Sequence, residues 1–281
     1  MTAREGTYKG KTYILEHYES IAEFIETLEA RPVSDQYSRD FTAQDVRSEH
    51  ISNPRWTGAA SYSEAKDQFM TGTKATKAMQ RAYIATQTSR KRETVNAPCG
   101  GAPIVAHALL GLPNSMIDIR RKREPRTVRI IINMSLPAGR TAADITEAGK
   151  KIIAAVGRLD GEGLSTEIIC SSDKLICGML SSCGVVIKTA GQAFNAARVS
   201  FSMSSPAFLR VFQFMQTSSQ PSMPYSSGYG AAVSQSYSGE DLKAYYEAMY
   251  GEGLYISLAD VVKYGAYEID RSIDSWKTSR R

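Results

Sequence analysis

Hydroxyls, thiols, imidazoles and clustered cations are the groups of this chain that would support chemistry. Ser171-Ser172-Asp173 and Ser181-Ser182 place hydroxyls near a carboxylate, but neither stands in the Gly-x-Ser-x-Gly elbow that exposes a hydrolase nucleophile. Of the three histidines, His107 falls in an apolar segment and reads as a core residue, while His17 and His50 read as solvated. The four cysteines, Cys99, Cys170, Cys177 and Cys183, lack C-x-x-C spacing and a nearby histidine pair, so no zinc site is expected. Cys170 and Cys183 border β-like runs, where a reduced cysteine behaves as a small buried hydrophobe. No catalytic residue and no resident metal are assigned.

Cations are the most concentrated of these groups. The chain's net charge is +5, yet segment 89–129 alone carries nine bases against three acids. Arg90, Lys91 and Arg92 form one cluster, and Arg120, Arg121, Lys122 and Arg123 another. Such clusters neutralise phosphates and release counterions when a nucleic acid binds. No aromatics are interleaved to stack bases, so the same charges also fit two solvated loop ends. Tyrosine is the other concentrated type. Nine of fifteen fall within 43 residues near the C-terminus, and Tyr225, Tyr229 and Tyr237 sit on a Ser/Gly-rich stretch, 217–238, that reads as a surface loop. Tyrosines on such a loop suit a protein interface, because each joins apolar area to one polar handle.

The elements that must position these groups follow from periodicity. Length, 42% apolar content and 22% charged content describe a globular chain and exclude collagen, a disulfide mini-protein and a disordered chain. Capping boxes at Ser20…Glu23 and Ser61…Glu64 open amphipathic helices through Phe24, Ile25 and Leu28 and through Ala65 and Phe69. A helix over 74–87 completes a helical, polar N-terminal region, 1–95. The Gly/Pro-bounded apolar segment 104–112 predicts a buried helix. From Thr127 strands and helices alternate: a β-branched run at 127–133, a helix capped by Thr141 and Asp144, strands at 164–170 and 184–188, a helix over 194–203, another restarted by Ser205-Pro206, a strand at 254–258 and a closing helix. Crossover helices between strands favour an α/β domain over 96–281, a mostly parallel sheet flanked by helices, with an antiparallel pair near Ile168 and Val186. No apolar run reaches the roughly 18 residues that span a bilayer, and the first eleven residues lack a secretory signal, so a cytoplasmic protein is expected.

A strand ending in Asn133-Met-Ser135-Leu-Pro137, followed by a threonine-capped helix and a second strand, resembles a von Willebrand factor A-type domain. That family carries Asp-x-Ser-x-Ser at this point. Asn133 replaces the anion and Pro137 the second hydroxyl, so the resemblance implies at most weak divalent-cation binding, with Asp260 at the same sheet edge. The order of segments over about residues 50 to 276 also resembles an uncharacterised bacteriophage protein family. The motifs that carry this are Trp56-Thr-Gly with Ser61-Tyr-Ser-Glu-Ala65, segment 96–116, the strand and helix of 126–159, Ser205-Pro206 and Ser227-Gly-Tyr-Gly230. It implies an accessory protein acting in the infected host.

These readings lead to one expectation of function: a non-enzymatic protein-interaction module presenting Asn133, Ser135 and Asp260 at a strand-end crevice and the Tyr225 to Tyr237 loop. Nucleic-acid binding through 89–129 is the alternative, and a metal-assisted enzyme the third.

Overall fold

Ten strands organise the computed structural model, which describes residues 1–31, 53–86, 93–120, 126–137, 139–220 and 231–278. The main sheet has seven strands: β1 (Thr2–Tyr8), β2 (Lys11–Tyr18), β8 (Met179–Lys188), β7 (Ser165–Ile176), β6 (Thr127–Asn133) and β10 (Leu254–Ser257) in that spatial order, with β9 (Ala231–Ala232) pairing β7. A second sheet, order β3-β5-β4, joins Glu93–Ala97, Met116–Arg120 and Ala102–Pro103.

The α/β class and the sheet flanked by helices are as the periodicity predicts; the finer expectations need correction. Residues 1–18 are a β-hairpin rather than part of a helical region. Lys9 and Gly10 both have positive φ, 47° and 77°, which is the two-residue turn matching strand twist. β2 then pairs parallel with β8, so the N-terminal segment is an edge of the main sheet. That sheet is mixed rather than mostly parallel: β2/β8, β6/β7 and β6/β10 are parallel, while β1/β2, β7/β8 and β7/β9 are antiparallel. The antiparallel β7/β8 pair stands where Ile168 and Val186 predict it, but it continues through Ser171 to Lys174 and Ser181 to Ser182 to a turn at Cys177-Gly178. Those polar residues look like loop in sequence because nothing local shows that both strand faces are covered.

One sheet face carries most of the helices: α1 (Ile21–Ala30), α6 (Ala142–Gly161), α7 (Ala196–Ser204), a π-helix (Phe208–Gln213) continuing into α8 (Phe214–Ser219), and α10 (Leu258–Tyr264) with α11 (Ala266–Thr278). Short α2 (Pro54–Thr57), α3 (Tyr62–Thr71) and α4 (Thr76–Thr86) pack outside them. The predicted caps form: Ser20 Oγ accepts from Glu23 N at 3.1 Å, Ser61 Oγ from Glu64 N at 3.1 Å, and Thr141 with Asp144 closes a full capping box. Ile145, Ala148, Ile152, Val156 and Leu159 bury the predicted stripe of α6. Fully buried Phe24, Phe201, Phe208 and Phe212 lie in this core, each contributing about 1.5–3 kcal/mol by leaving water. Residues from both sides of position 95 share this core. The opposite face is covered by α9 (Gly239–Tyr250), whose tyrosines pack on Ile131, Ile169 and Val186.

Segment 104–112 is not a buried helix. It holds a five-residue helix, α5 (Val105–Leu109), with Val105 64%, Leu109 82%, Leu110 74% and Leu112 44% exposed. Its apolar composition suggests burial, but five residues make little more than one turn. His107, read as a core residue, is half-exposed here, with Nδ1 3.4 Å from Asn114 O. Cys170 and Cys183 are buried as expected and Cys99 and Cys177 exposed. Burial pushes both buried thiols far above the usual range. A thiol reagent is therefore expected to titrate two cysteines in the native protein and four after denaturation, read by absorbance; three or more fast thiols would contradict the packing.

Candidate functional site

The sheet edge proposed for a cation is occupied by its own hydrogen bonds. Asn133, last residue of β6, donates from Nδ2 to the Tyr246 hydroxyl, and its Oδ1 accepts from Ser135 N at 2.8 Å. Ser135 Oγ donates to Asp173 O at 3.3 Å. Both residues are buried. Asp260 stands in the first turn of α10, whose N-cap Ser257 accepts from Asp260 N at 3.2 Å, and it lines a groove with Tyr246. Thus Tyr246 separates Asn133 from that groove. Among the described residues no three His, Cys, Asp or Glu side chains converge as metal ligands.

The tyrosines predicted for an interface divide. Tyr225 and Tyr229 lie outside the described residues. Tyr237 is half-buried and stacked on Tyr245 at 5.9 Å, and Tyr245, Tyr246 and Tyr250 are inside the second core. The stretch 217–238 is accordingly no simple surface loop: Thr217 and Gln220 are buried at its start and Val233 near its end.

What those tyrosines enclose is a carboxylate. Asp173 is fully buried on β7, and its Oδ1 accepts from Tyr250 OH at 2.7 Å and Tyr245 OH at 3.2 Å, while Ser182 Oγ lies 2.5 Å from the Tyr245 oxygen. Its Oδ2 has no hydrogen-bond partner among the described residues. Burial pushes the carboxyl up to about 6, against the pull of the hydroxyl donors. Burial and the same carboxylate drive the three tyrosine hydroxyls well above their ordinary range.

The next residue, Lys174, projects to the opposite face, as alternation in a strand requires. Its Nζ donates to Thr217 Oγ1 at 2.8 Å and stands 5.1 Å from the Phe214 ring centroid, and burial pulls its pKa down to about 8. It belongs to a polar seam between sheet and helix. Gln213, Gln216, Thr217 and Gln220 fall at i, i+3, i+4 and i+7, all buried on one helix face. Opposite them, Ser181 Oγ donates to Gln220 Oε1 at 2.6 Å, and Glu16 accepts from Gln216 Nε2 at 3.0 Å, Tyr18 OH at 2.7 Å and Arg31 at 2.8 Å. Both amide atoms of Gln213, at the end of the π-helix, lack partners among the described residues. Sequence reasoning missed this seam; the glutamine spacing was its signal, hidden because polar residues at helical spacing ordinarily mark a solvated face.

The second sheet has two unlike ends. Glu93 pairs with Arg120 at one end, and Ala97 pairs with Met116 at the other. Arg90, Lys91 and Arg92 precede the first pair in sequence and Arg121, Lys122 and Arg123 follow it. These six residues lie outside the described residues, and only the backbone of Arg120 is described. The opposite end carries the exposed apolar crest 105–112, which holds four of the nine exposed large hydrophobic residues among those described. Trp56, expected to pack, lies 5.8 Å from the Phe214 ring with Arg210 over it at 4.5 Å, and Arg210 donates to the carbonyls of Trp56 and Arg140 at 2.6 and 2.8 Å.

No helix among the described residues is long and apolar enough to cross a membrane. A family model, domain of unknown function (DUF7192), matches residues 4–264. No curated protein and no solved structure matches the chain.

Proposed function

The chain belongs to the DUF7192 family, and from that premise we propose that it is a protein-interaction module whose docking surface is the crest 105–112. One observation carries the reading: Val105, Leu109, Leu110 and Leu112 are held in water within eight residues, in a protein that elsewhere buries most of its large apolar side chains in the two cores. Contiguous exposed apolar side chains of this size mark a surface another protein covers. The polar groups that would bind a cation, Asn133 and Ser135, serve the fold instead. By its sequence resemblance to a bacteriophage family the module would act in an infected host's cytoplasm, and by the Asn133-Met-Ser135-Leu-Pro137 motif its core would be a degenerate von Willebrand A-like domain.

Pull-down with the tagged full chain tests this. A stoichiometric protein that survives nuclease and no longer binds the Leu109→Ser/Leu110→Ser variant, at unchanged thermal stability, supports the reading. Equal capture by the variant overturns it, and a dimer dissolved by the variant assigns the crest to a second copy.

The β3/β5 pairing favours a second reading, because the two residues it pairs at one end, Glu93 and Arg120, are each next in sequence to a basic cluster. In that reading the module binds nucleic acid there. Arg121→Ala/Lys122→Ala/Arg123→Ala is expected to weaken binding uniformly across sequences and to lower the salt slope by about 0.9 for each phosphate no longer neutralised. An unchanged slope in titrations at several salt concentrations would exclude it.

A further inference from the structure

We propose that the open edge of β10 is a second docking site, one that takes an extended peptide bearing lysine or arginine at alternate positions. β10 ends the main sheet and pairs only β6 among the described residues, so its outer edge presents backbone donors and acceptors to whatever lies beside it. That edge is not bare to bulk water. It forms the floor of a groove of about 740 Å³ walled by α9 on one sheet face and α11 on the other. A strand laid on β10 would run about 4.8 Å from it and direct successive side chains at the two walls in turn.

The charge of those walls selects the occupant. The lining is acidic in a chain whose net charge is +5: five carboxylates stand against two cations, a formal charge of −3. Both cations are engaged by lining carboxylates, Lys243 with Glu247 at 3.9 Å and Arg271 with Glu268 at 2.5 Å. Glu240 stands in the first turn of α9. Glu252 precedes β10 and Asp260 follows it, so negative charge brackets the strand along its length. Tyr246, Tyr255 and Trp276 supply apolar and aromatic surface between the carboxylates, suited to the stems of lysine and arginine. The site is independent of the crest 105–112, and its chemistry differs: a laddered backbone with cationic side chains rather than an apolar patch.

Fluorescence anisotropy with the full chain in 150 mM salt tests it, using labelled (Lys-Val)4, (Glu-Val)4 and a (Lys-Val)4 whose backbone nitrogens are all methylated, so that neither edge can donate. The expected result is binding of (Lys-Val)4 alone, weakened at least tenfold by Glu240→Lys/Asp260→Lys, with amide resonances of 254–257 shifting on titration. Circular dichroism of the double variant separates lost affinity from lost fold, and Glu240→Gln/Asp260→Asn is expected to weaken binding to a smaller degree. Equal binding of the methylated peptide would overturn the strand-addition geometry. Equal binding of (Glu-Val)4, no effect of the charge reversals in a folded variant, or no binding at all would overturn the proposal.

Discussion

Asp173→Asn is expected to remove a step of about 3 kcal/mol from the pH dependence of stability between pH 4 and pH 6. The carboxyl titrates at about 6 in the folded protein against its ordinary 3.8, chiefly because it is buried. Within that window the folded state holds a proton that the unfolded state has released, so stability falls as pH rises. Above pH 6 the whole penalty is present, and below pH 3.8 it is gone. Urea denaturation at half-unit pH intervals should show the wild type losing stability across this range and the variant staying flat, so that the variant is the more stable protein at pH 7. Parallel curves would show that Asp173 does not titrate there. Lys174 has a separate window: pulled from 10.5 to about 8, it is expected to make the protein gain stability from pH 8 to 10.5, a gain that Lys174→Met abolishes. Because the two groups attract through the sheet, the double variant is not the sum of the singles.

Gly149→Leu is expected to destabilise by about 3 kcal/mol or more, against about 1 kcal/mol that any better helix former would ordinarily contribute. A Cβ at Gly149 would sit 2.3 Å from Met203 O, a backbone atom that moves only if α7 moves. Gly157, two turns on along α6, meets Tyr83 O of α4 at 2.4 Å in the same way. The two glycines let α6 accept neighbours at backbone distance. Gly149→Ala should show the same sign at a smaller size in chemical denaturation; a stabilising Gly149→Ala would mean that the helices separate at no cost.

Much of this architecture is legible in the residues. Ser20, Ser61 and Thr141 announce their helices because capping is local, and Ile130 to Ile132 announce a covered strand because β-branched runs need two covered faces. The polar interior is illegible for the converse reason. Ser171 to Lys174 resemble a loop, and only α8 and α9 lying on opposite sides make them interior. The N-terminal hairpin hides behind its charges: Arg4 and Glu5 are exposed on its edge strand and Lys9 in its turn, and Leu15 and Tyr18 show their burial only once β8 is beside them. Of the candidate site, Asp260 and Tyr246 do border a groove, whereas the crest 105–112 inverts its expectation, because apolar composition fixes a preference for burial and not the partner that provides it.

The parallel pairing of β2 with β8 sets the timing of assembly. Tyr13 leaves the ribosome well before its partner Leu180, which stands far behind it in sequence. Until then β2 has β1 alone beside it, and a lone hairpin is marginal in water. The pairing is thus of high sequence separation, closed late and at the full entropy of a long loop. During synthesis the edge of β2 that finally receives β8 stays open to any other strand, so a chaperone that covers the β1/β2 hairpin is expected to raise the yield of folded protein.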